Sequence, residues 1–167
     1  LRLERPIIVI PEGVDCDVYR PNAGPFPGEL PAKSFVFTGL AFDRPAGRDR
    51  KNATRLVEYF CKTFAGNRSV GLVLKASIVN YSTIDYELIK RRISEIKQST
   101  GCGEFPTVTL IQGRLSEAEM AGLYGDPRVI AAVSLTHGEG FGLPLIEAAA
   151  CGLPVMVTDW SGHTDFL

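Results

Sequence analysis

The chain has 167 residues, 45% of them hydrophobic and 22% charged, with a formal net charge of −1. That length supports one domain with a real hydrophobic core. The near-neutral balance excludes a broad basic field for nucleic acid or anionic lipid, so any bound anion must be held by a local cluster. No apolar run approaches the ~20 residues that cross a bilayer, and no stretch reads as a signal peptide. Cys16, Cys61, Cys102 and Cys151 form no CxxC pair and have no metal-ligand spacing with His137 or His163. They read as reduced thiols in a reducing compartment, and no metal is expected.

The chain opens in "LRLERPIIVIPEG" without an initiating methionine and closes in "WSGHTDFL", which reads as a piece of a longer protein. "PIIVI" (6–10) is a short β-rich run that stops at Pro11, and the proline- and glycine-rich connector 20–33 reads as loop. "SFVFTG" (34–39) has the apolar continuity of a buried strand. After a polar loop, a helix starts near Asn52 as N-cap, carries Leu56, Phe60 and Phe64 on one face, and ends at Gly66. "VGLVLKA" (70–76) is the next strand. The second helix begins at Ser82, with Asp85 completing an approximate capping box and Ile84, Leu88, Ile89, Ile93 and Ile96 as its apolar stripe.

"TVTLIQ" (107–112) is strand, and Ser116 with Glu119 is a clean capping box for a short helix that Gly125 closes. "RVIAAVSL" (128–135) is strand. A glycine loop leads into a helix over 143–151, and "PVMVT" (154–158) is a last strand. Strands alternating with helices, several of the strands nearly continuous in apolar residues, predict an α/β fold. Its core is a Rossmann-like parallel sheet with helices on both faces. Ligands in such sheets bind beyond the carboxyl ends of the strands, so the loops that follow strands are where chemistry belongs.

Three of those loops stand out. In "TGLAFDRPAGRDRKN" (38–52), Arg44, Arg48, Arg50 and Lys51 fall between a strand end and a helix start. Charge-assisted donors and a positively polarised helix tip there suit a diphosphate. The alternative is a solvated basic loop. In "LIQGRLSEAE" (110–119), Gly113 lets a flat ligand approach the main chain of Arg114 and Leu115, although a plain β–α turn is the simpler reading.

The third loop is "HGEGFGLPLIEAAACG" (137–152), where Gly138, Gly140 and Gly142 permit unusual backbone angles and lead straight into a helix. The unpaired N–H groups at that helix start form an anion site, and Pro144 is tolerated in the first turn. Glu139 precedes the anion site and Glu147 follows it, eight residues later. A carboxylate repels phosphate but accepts hydrogen bonds from hydroxyls, often two at once. Hydroxyls on both sides of a diphosphate describe a nucleotide sugar, with ribose on one side and hexose on the other.

With these residues in view, the run Glu139 to Glu147 with "GFG" after the first acid resembles the E-x7-E motif of retaining GT-B glycosyltransferases, in particular the large family 4 ("group 1"). "VIPEGVDCDVYRP" (9–21) is similar to the segment opening that family's C-terminal domain, and "FVFTGL" with "RKN" to its first strand and phosphate loop. The resemblance implies a C-terminal GT-B half truncated at its own C-terminal end. Residues 1–33 would be the interdomain segment and domain entry, and 34–167 the incomplete nucleotide-sugar-binding domain.

It further implies catalytic roles for Glu139, Lys51 and Arg50. Donor contacts are implied at Phe141, Gly142, Leu143, Glu147, Gly113, Arg114, Leu115, Gly39 and His137. The family often has arginine directly after the strand-ending glycine. Leu40 stands there in this chain, and Arg44, Arg48 or Arg50 would have to supply the charge, Arg50 being preferred for its place beside Lys51. His163, Trp160 and Asp165 fall in the last loop, which faces the cleft in the family; Lys75 near a strand end points at the cleft if the sheet is right, although a lysine there is more often solvated.

The implied reaction transfers a hexose with retention from a nucleotide-diphospho-sugar to a glycan or lipid-linked acceptor, without metal or other cofactor. The acceptor would be held by a missing N-terminal domain, so the fragment alone is expected to be inactive. The implied setting is cytoplasmic, with the full-length protein peripheral on a membrane where the acceptor is lipid-linked. Rival readings are a non-transferring nucleotide-sugar enzyme of the 2-epimerase type, a non-catalytic nucleotide-binding module and a dinucleotide-binding Rossmann domain. The last fails at its fingerprint, because Leu143 stands where GxGxxG requires glycine.

Overall fold

The computed structural model describes residues 6–42 and 49–167. Arg44 and Arg48, two of the expected phosphate-loop cations, lie outside the described residues. Five strands form one parallel sheet in the order β3-β2-β1-β4-β5: β1 (Lys33–Leu40), β2 (Val70–Ser77), β3 (Thr107–Leu110), β4 (Val129–Ser134) and β5 (Val155–Val157). Four helices alternate with them: α1 (Ala53–Thr63), α2 (Thr83–Thr100), α3 (Glu117–Gly125) and α4 (Leu143–Ala150).

The alternation of side chains along each strand explains why both faces are covered. On one face Phe37 of β1 and Leu72 and Leu74 of β2 meet Leu56, Val57 and Phe60 of α1 and Ile89, Ile93 and Ile96 of α2. On the other, Val36, Val73 and Val129 meet Leu123 and Tyr124 of α3 and Ala148 of α4. Every residue of β2 is buried, as a central strand of a parallel sheet requires. The N-terminal connector joins this second core through Tyr19 and Phe26. It is pinned by Asp126, whose carboxylate accepts from the Phe26 N–H at 3.0 Å, while Arg128 donates to the Phe26 and Gly28 carbonyls. The strand order reverses between β1 and β4, so a crevice opens at the carboxyl ends of these two strands.

Several expectations are corrected. "PIIVI" forms no strand: Ile7, Ile8, Val9 and Ile10 are 72–85% exposed, because no neighbouring strand among the described residues supplies hydrogen-bond partners. Ile84 and Leu88 face solvent rather than the core. The buried stripe of α2 is headed instead by Asp85, whose carboxylate accepts from the Val79, Asn80 and Tyr81 N–H groups and the Ser77 hydroxyl. These bonds, the Val79 N–H foremost, pull the Asp85 pKa down to about 2. They also leave that carboxylate no part in the capping box expected with Ser82, whose hydroxyl does cap the Asp85 N–H.

Asn52 occupies the N-cap position of α1 in a left-handed conformation without capping through its side chain. Asp49, fully buried, does so instead, accepting from the Thr54 N–H and hydroxyl. Asp49 thus already takes one of the donors at the α1 tip. Gly66 turns the chain at φ +75° three residues beyond the end of α1 rather than closing the helix. All four cysteines are free thiols. Among the described residues no helix is long and apolar enough to cross a membrane.

Candidate active site

The site is built on the junction between β4 and α4. Of the three loop glycines, only Gly142 takes a left-handed conformation, with φ +106°, so the unusual angles expected at Gly138 and Gly140 are absent. Gly142 is the N-cap of α4, and its carbonyl accepts from the Leu145 and Ile146 N–H groups. The N–H groups of Phe141, Gly142 and Leu143 find no acceptor among the described residues. They are the unsatisfied donors that a helix start always leaves, and the helix dipole adds positive potential behind them. Phe141 packs on Phe166 with ring centres 5.0 Å apart, while Leu143 and His137 are exposed.

Beside this tip Lys51 and Glu139 form a buried ion pair. Lys51 runs along Gly39, whose φ of +149° and missing side chain leave room for it. Arg50 is exposed. Its guanidinium donates to the Gly138 carbonyl at 3.2 Å, and its own carbonyl accepts from the His137 N–H at 2.9 Å. The basic loop and the glycine loop are thus tied together across 88 residues of sequence.

A third segment fixes the glycine loop from behind. Ser161 Oγ donates to the Glu139 carbonyl at 2.8 Å and accepts from the Glu139 N–H at 3.1 Å. Trp160 Nε1 donates to the His137 carbonyl, and the Thr158 hydroxyl to the Thr136 carbonyl. Gly162 lies so close that an added Cβ would stand 2.1 Å from the Gly140 carbonyl oxygen. His163 is buried beneath the loop. Its Nε2 bonds the Thr158 carbonyl at 2.6 Å, which requires the proton on that nitrogen, and its Nδ1 has no partner.

Glu147 lies one turn into α4 on the wall of a cavity of about 460 Å³, with Arg114, Leu115 and Glu117 at the β3–α3 turn and Tyr19 across from it. Burial, and secondarily the charge of Glu117, push the Glu147 pKa up to about 7. Gly113 turns the chain at φ +81°, and its carbonyl is not open: Lys75 donates to it at 2.6 Å. Lys75 also lines the cavity, with its ammonium 3.7 Å from the centre of the Tyr81 ring. It is 2% exposed, against the solvated reading of the sequence, and burial lowers its pKa to about 8.

The structure therefore gathers the expected residues into two adjoining groups. Arg50, Lys51, Gly39, His137, Glu139, Phe141, Gly142 and Leu143 surround the α4 tip, while Gly113, Arg114, Leu115 and Glu147 surround the cavity. Sequence reasoning pointed Lys75 at the cleft but favoured a solvated lysine, and it missed Tyr81 as a cavity residue and Ser161 and Gly162 as the support of Glu139. Lys75 left one usable signal, a lone charge inside an otherwise apolar central strand. Ser161 left none, because its bond spans 22 residues.

A five-stranded parallel sheet with a glycine-started helix at the switch point defines a Rossmann-like α/β domain. The fold matches the C-terminal domain of a glycosyl transferase group 1 family protein (LpcC) from Francisella tularensis, with a TM-score of 0.59 at 21% identity over 87% of this chain and 70% of that one. It also matches the N-terminal domain of Candida albicans trehalose-6-phosphate phosphatase, with a TM-score of 0.50 at 17% identity over 80% of this chain and 29% of that one.

Residues 103–167 match the family described as glycosyl transferases group 1. The chain is 29% identical over 165 residues to a probable sucrose-phosphate synthase of Thermosipho melanesiensis, covering 96% of this chain and 34% of that protein. It is 29% identical over 140 residues to sucrose synthase 2 of Pisum sativum, covering 81% of this chain and 17% of that protein. The match to glycosyl transferases group 1 thus covers the C-terminal part of the chain, less than half of it, and the likeness to the Francisella tularensis domain shows a shared α/β Rossmann-like fold. The chain spans about a third of the first of these relatives and a sixth of the second.

Proposed function

We propose that this chain is the donor-binding part of a glycosyltransferase that takes a hexose from a nucleotide-diphospho-sugar and transfers it with retention to a glycan or lipid-linked acceptor. The observation that carries the reading is the α4 tip. Three unpartnered N–H groups stand there between Glu139, on the loop, and Glu147, one turn into the helix. The diphosphate would take the Phe141, Gly142 and Leu143 N–H groups, with Lys51 and Arg50 adding full positive charge. Glu139 would accept from hexose hydroxyls and Glu147 from the ribose diol, while the main chain at Arg114 and Leu115 would face the base. Gly39 would leave room for close approach of the phosphates, and His137 would stand at the sugar.

In the transition state, negative charge builds on the leaving diphosphate as the bond to the anomeric carbon breaks. Lys51, Arg50 and the helix tip are fixed in advance to stabilise that charge, which is electrostatic catalysis needing no divalent ion. Glu139 is held by Lys51 in the protein alone, so the donor would take over both partners as it binds. The acceptor would come from an N-terminal domain on the other side of the cleft. The free thiols fit a reducing compartment, where nucleotide sugars are made.

Thermal-shift measurements with UDP-, GDP- and ADP-sugars beside NAD test the ligand class. Sugar nucleotides are expected to raise the Tm by mass action on the folded state. Stabilisation by NAD alone would overturn the reading.

A further inference from the structure

We propose that Lys75 selects the nucleobase of the donor, admitting bases with a carbonyl at the pyrimidine 4 or purine 6 position and rejecting those with an amino group there. This rests on the donor-site reading above and adds the base class to it. The argument begins with where Lys75 stands. It stands near the carboxyl end of β2 in register with Thr38 of β1, and both residues line the cavity that holds Glu147. In the strand order, β2 lies two positions from β4, whose carboxyl end leads to the α4 tip. Two strand spacings are roughly 10 Å, about the reach of a ribose and base beyond a diphosphate. Glu147, placed for the ribose, lies on the wall between.

The second step is donor accounting. An ammonium carries three N–H donors and no acceptor. Lys75 has one acceptor, the Gly113 carbonyl, and rests on the face of Tyr81. Among the described residues no carboxylate pairs with it, and desolvation is the only influence on its ionisation. A residue 98% removed from solvent, still charged and under-satisfied, stands on the wall of an otherwise ligand-sized cavity. Such a group lowers its energy when a bound molecule brings an acceptor.

The third step is ligand chemistry. Uracil O4 and guanine O6 are acceptors at the edge farthest from the ribose. Cytosine and adenine carry an amino group in the same place, which brings two more hydrogens against a cation and no acceptor. A buried donor left facing a donor is the situation in which a site rejects an analogue strongly. The phosphates do not compete for this cation, because the α4 tip follows β4, which lies across β1 from β2, and Lys51 there pairs with Glu139.

The test uses matched pairs that differ at the one position: UDP against CDP, and inosine diphosphate against ADP, titrated calorimetrically into the unaltered chain. The oxo member of each pair is expected to bind at least tenfold more tightly, and Lys75→Met to bring both ratios close to one. Equal affinities within each pair, or tighter binding of the amino members, would overturn the base assignment while leaving the donor site in place. Binding of none of the four would instead count against the donor-site reading itself. Because the ligand pairs probe the unaltered chain, the proposal stays testable if Lys75→Met fails to fold. If that variant folds and keeps the full preference, Lys75 is not the selecting group.

Discussion

At the α4 tip, Lys51 and Glu139 are buried against each other and the loop carrying Glu139 is strapped down by Ser161 and Gly162. Some way along the same strand ends, Lys75 and Glu147 line one cavity without pairing, each carrying a pKa pushed toward its neutral form by burial. Both regions hold one acid and one base, yet they hold them oppositely. In the first the two charged side chains already satisfy each other, so a ligand that engages them must exchange partners with them, although the helix-tip N–H groups stay open. The second is incomplete, and a ligand can only add partners. The contrast separates residues whose loss should unfold the chain from residues whose loss should stabilise it while weakening binding.

The largest expected effect breaks the complete region. Lys51→Met would leave the Glu139 carboxylate buried without its counter-charge, costing about 3 kcal/mol in a urea melt. A loss under ~0.5 kcal/mol would mean that the pair contributes little. Gly162→Ala comes next, since its Cβ would press on the Gly140 carbonyl rather than on a movable side chain. It should cost roughly 2–3 kcal/mol, the upper part of the range for overpacking, and should loosen donor binding along with the loop.

Glu147→Gln sharpens the contrast from the other side. Because the folded pKa of Glu147, about 7, lies above its ordinary value of 4.5, ionising it opposes folding between those values. Stability from this group is therefore full at low pH and is lost as pH rises through that window. The glutamine variant should melt higher than the unaltered chain at pH 8 and alike at pH 4, by scanning calorimetry. Its affinity for a nucleotide sugar should nevertheless fall by roughly 1–3 kcal/mol, the cost of losing bonds to a charged acceptor. In the unaltered chain, affinity should also weaken as pH drops below about 7, and the variant should lack that dependence. The smallest effect belongs to Arg50→Ala. The exposed bond to Gly138 should contribute under ~1 kcal/mol to stability, and any larger change should appear only in donor binding.

The sequence made both regions visible in part, for physical reasons. Strand–helix alternation and the glycine before Leu143 located the sheet and the α4 tip, because helix starts and buried parallel strands leave local patterns. The acids at 139 and 147 could be set on either side of the helix start because one precedes that start and helix geometry fixes where the other lies. Asp49 as the true cap of α1 left no pattern of that kind: a buried carboxylate three residues before Asn52 looks the same in sequence as a solvated one. Ile84 and Leu88 match the spacing of a buried stripe but face solvent, because Asp85 is needed inward to bind the 79–81 backbone. The surroundings of Lys75 became interpretable only once Gly113, from a turn remote in sequence, and Tyr81, from the loop after β2, were seen around it.

The most direct measurement is a crystal structure of the chain soaked with a nucleotide sugar. The account predicts the pyrophosphate within hydrogen-bond reach of the 141–143 main-chain N–H groups, the ribose diol on Glu147 and hexose hydroxyls on Glu139. A donor bound elsewhere, with both glutamates turned away from it, would contradict the account.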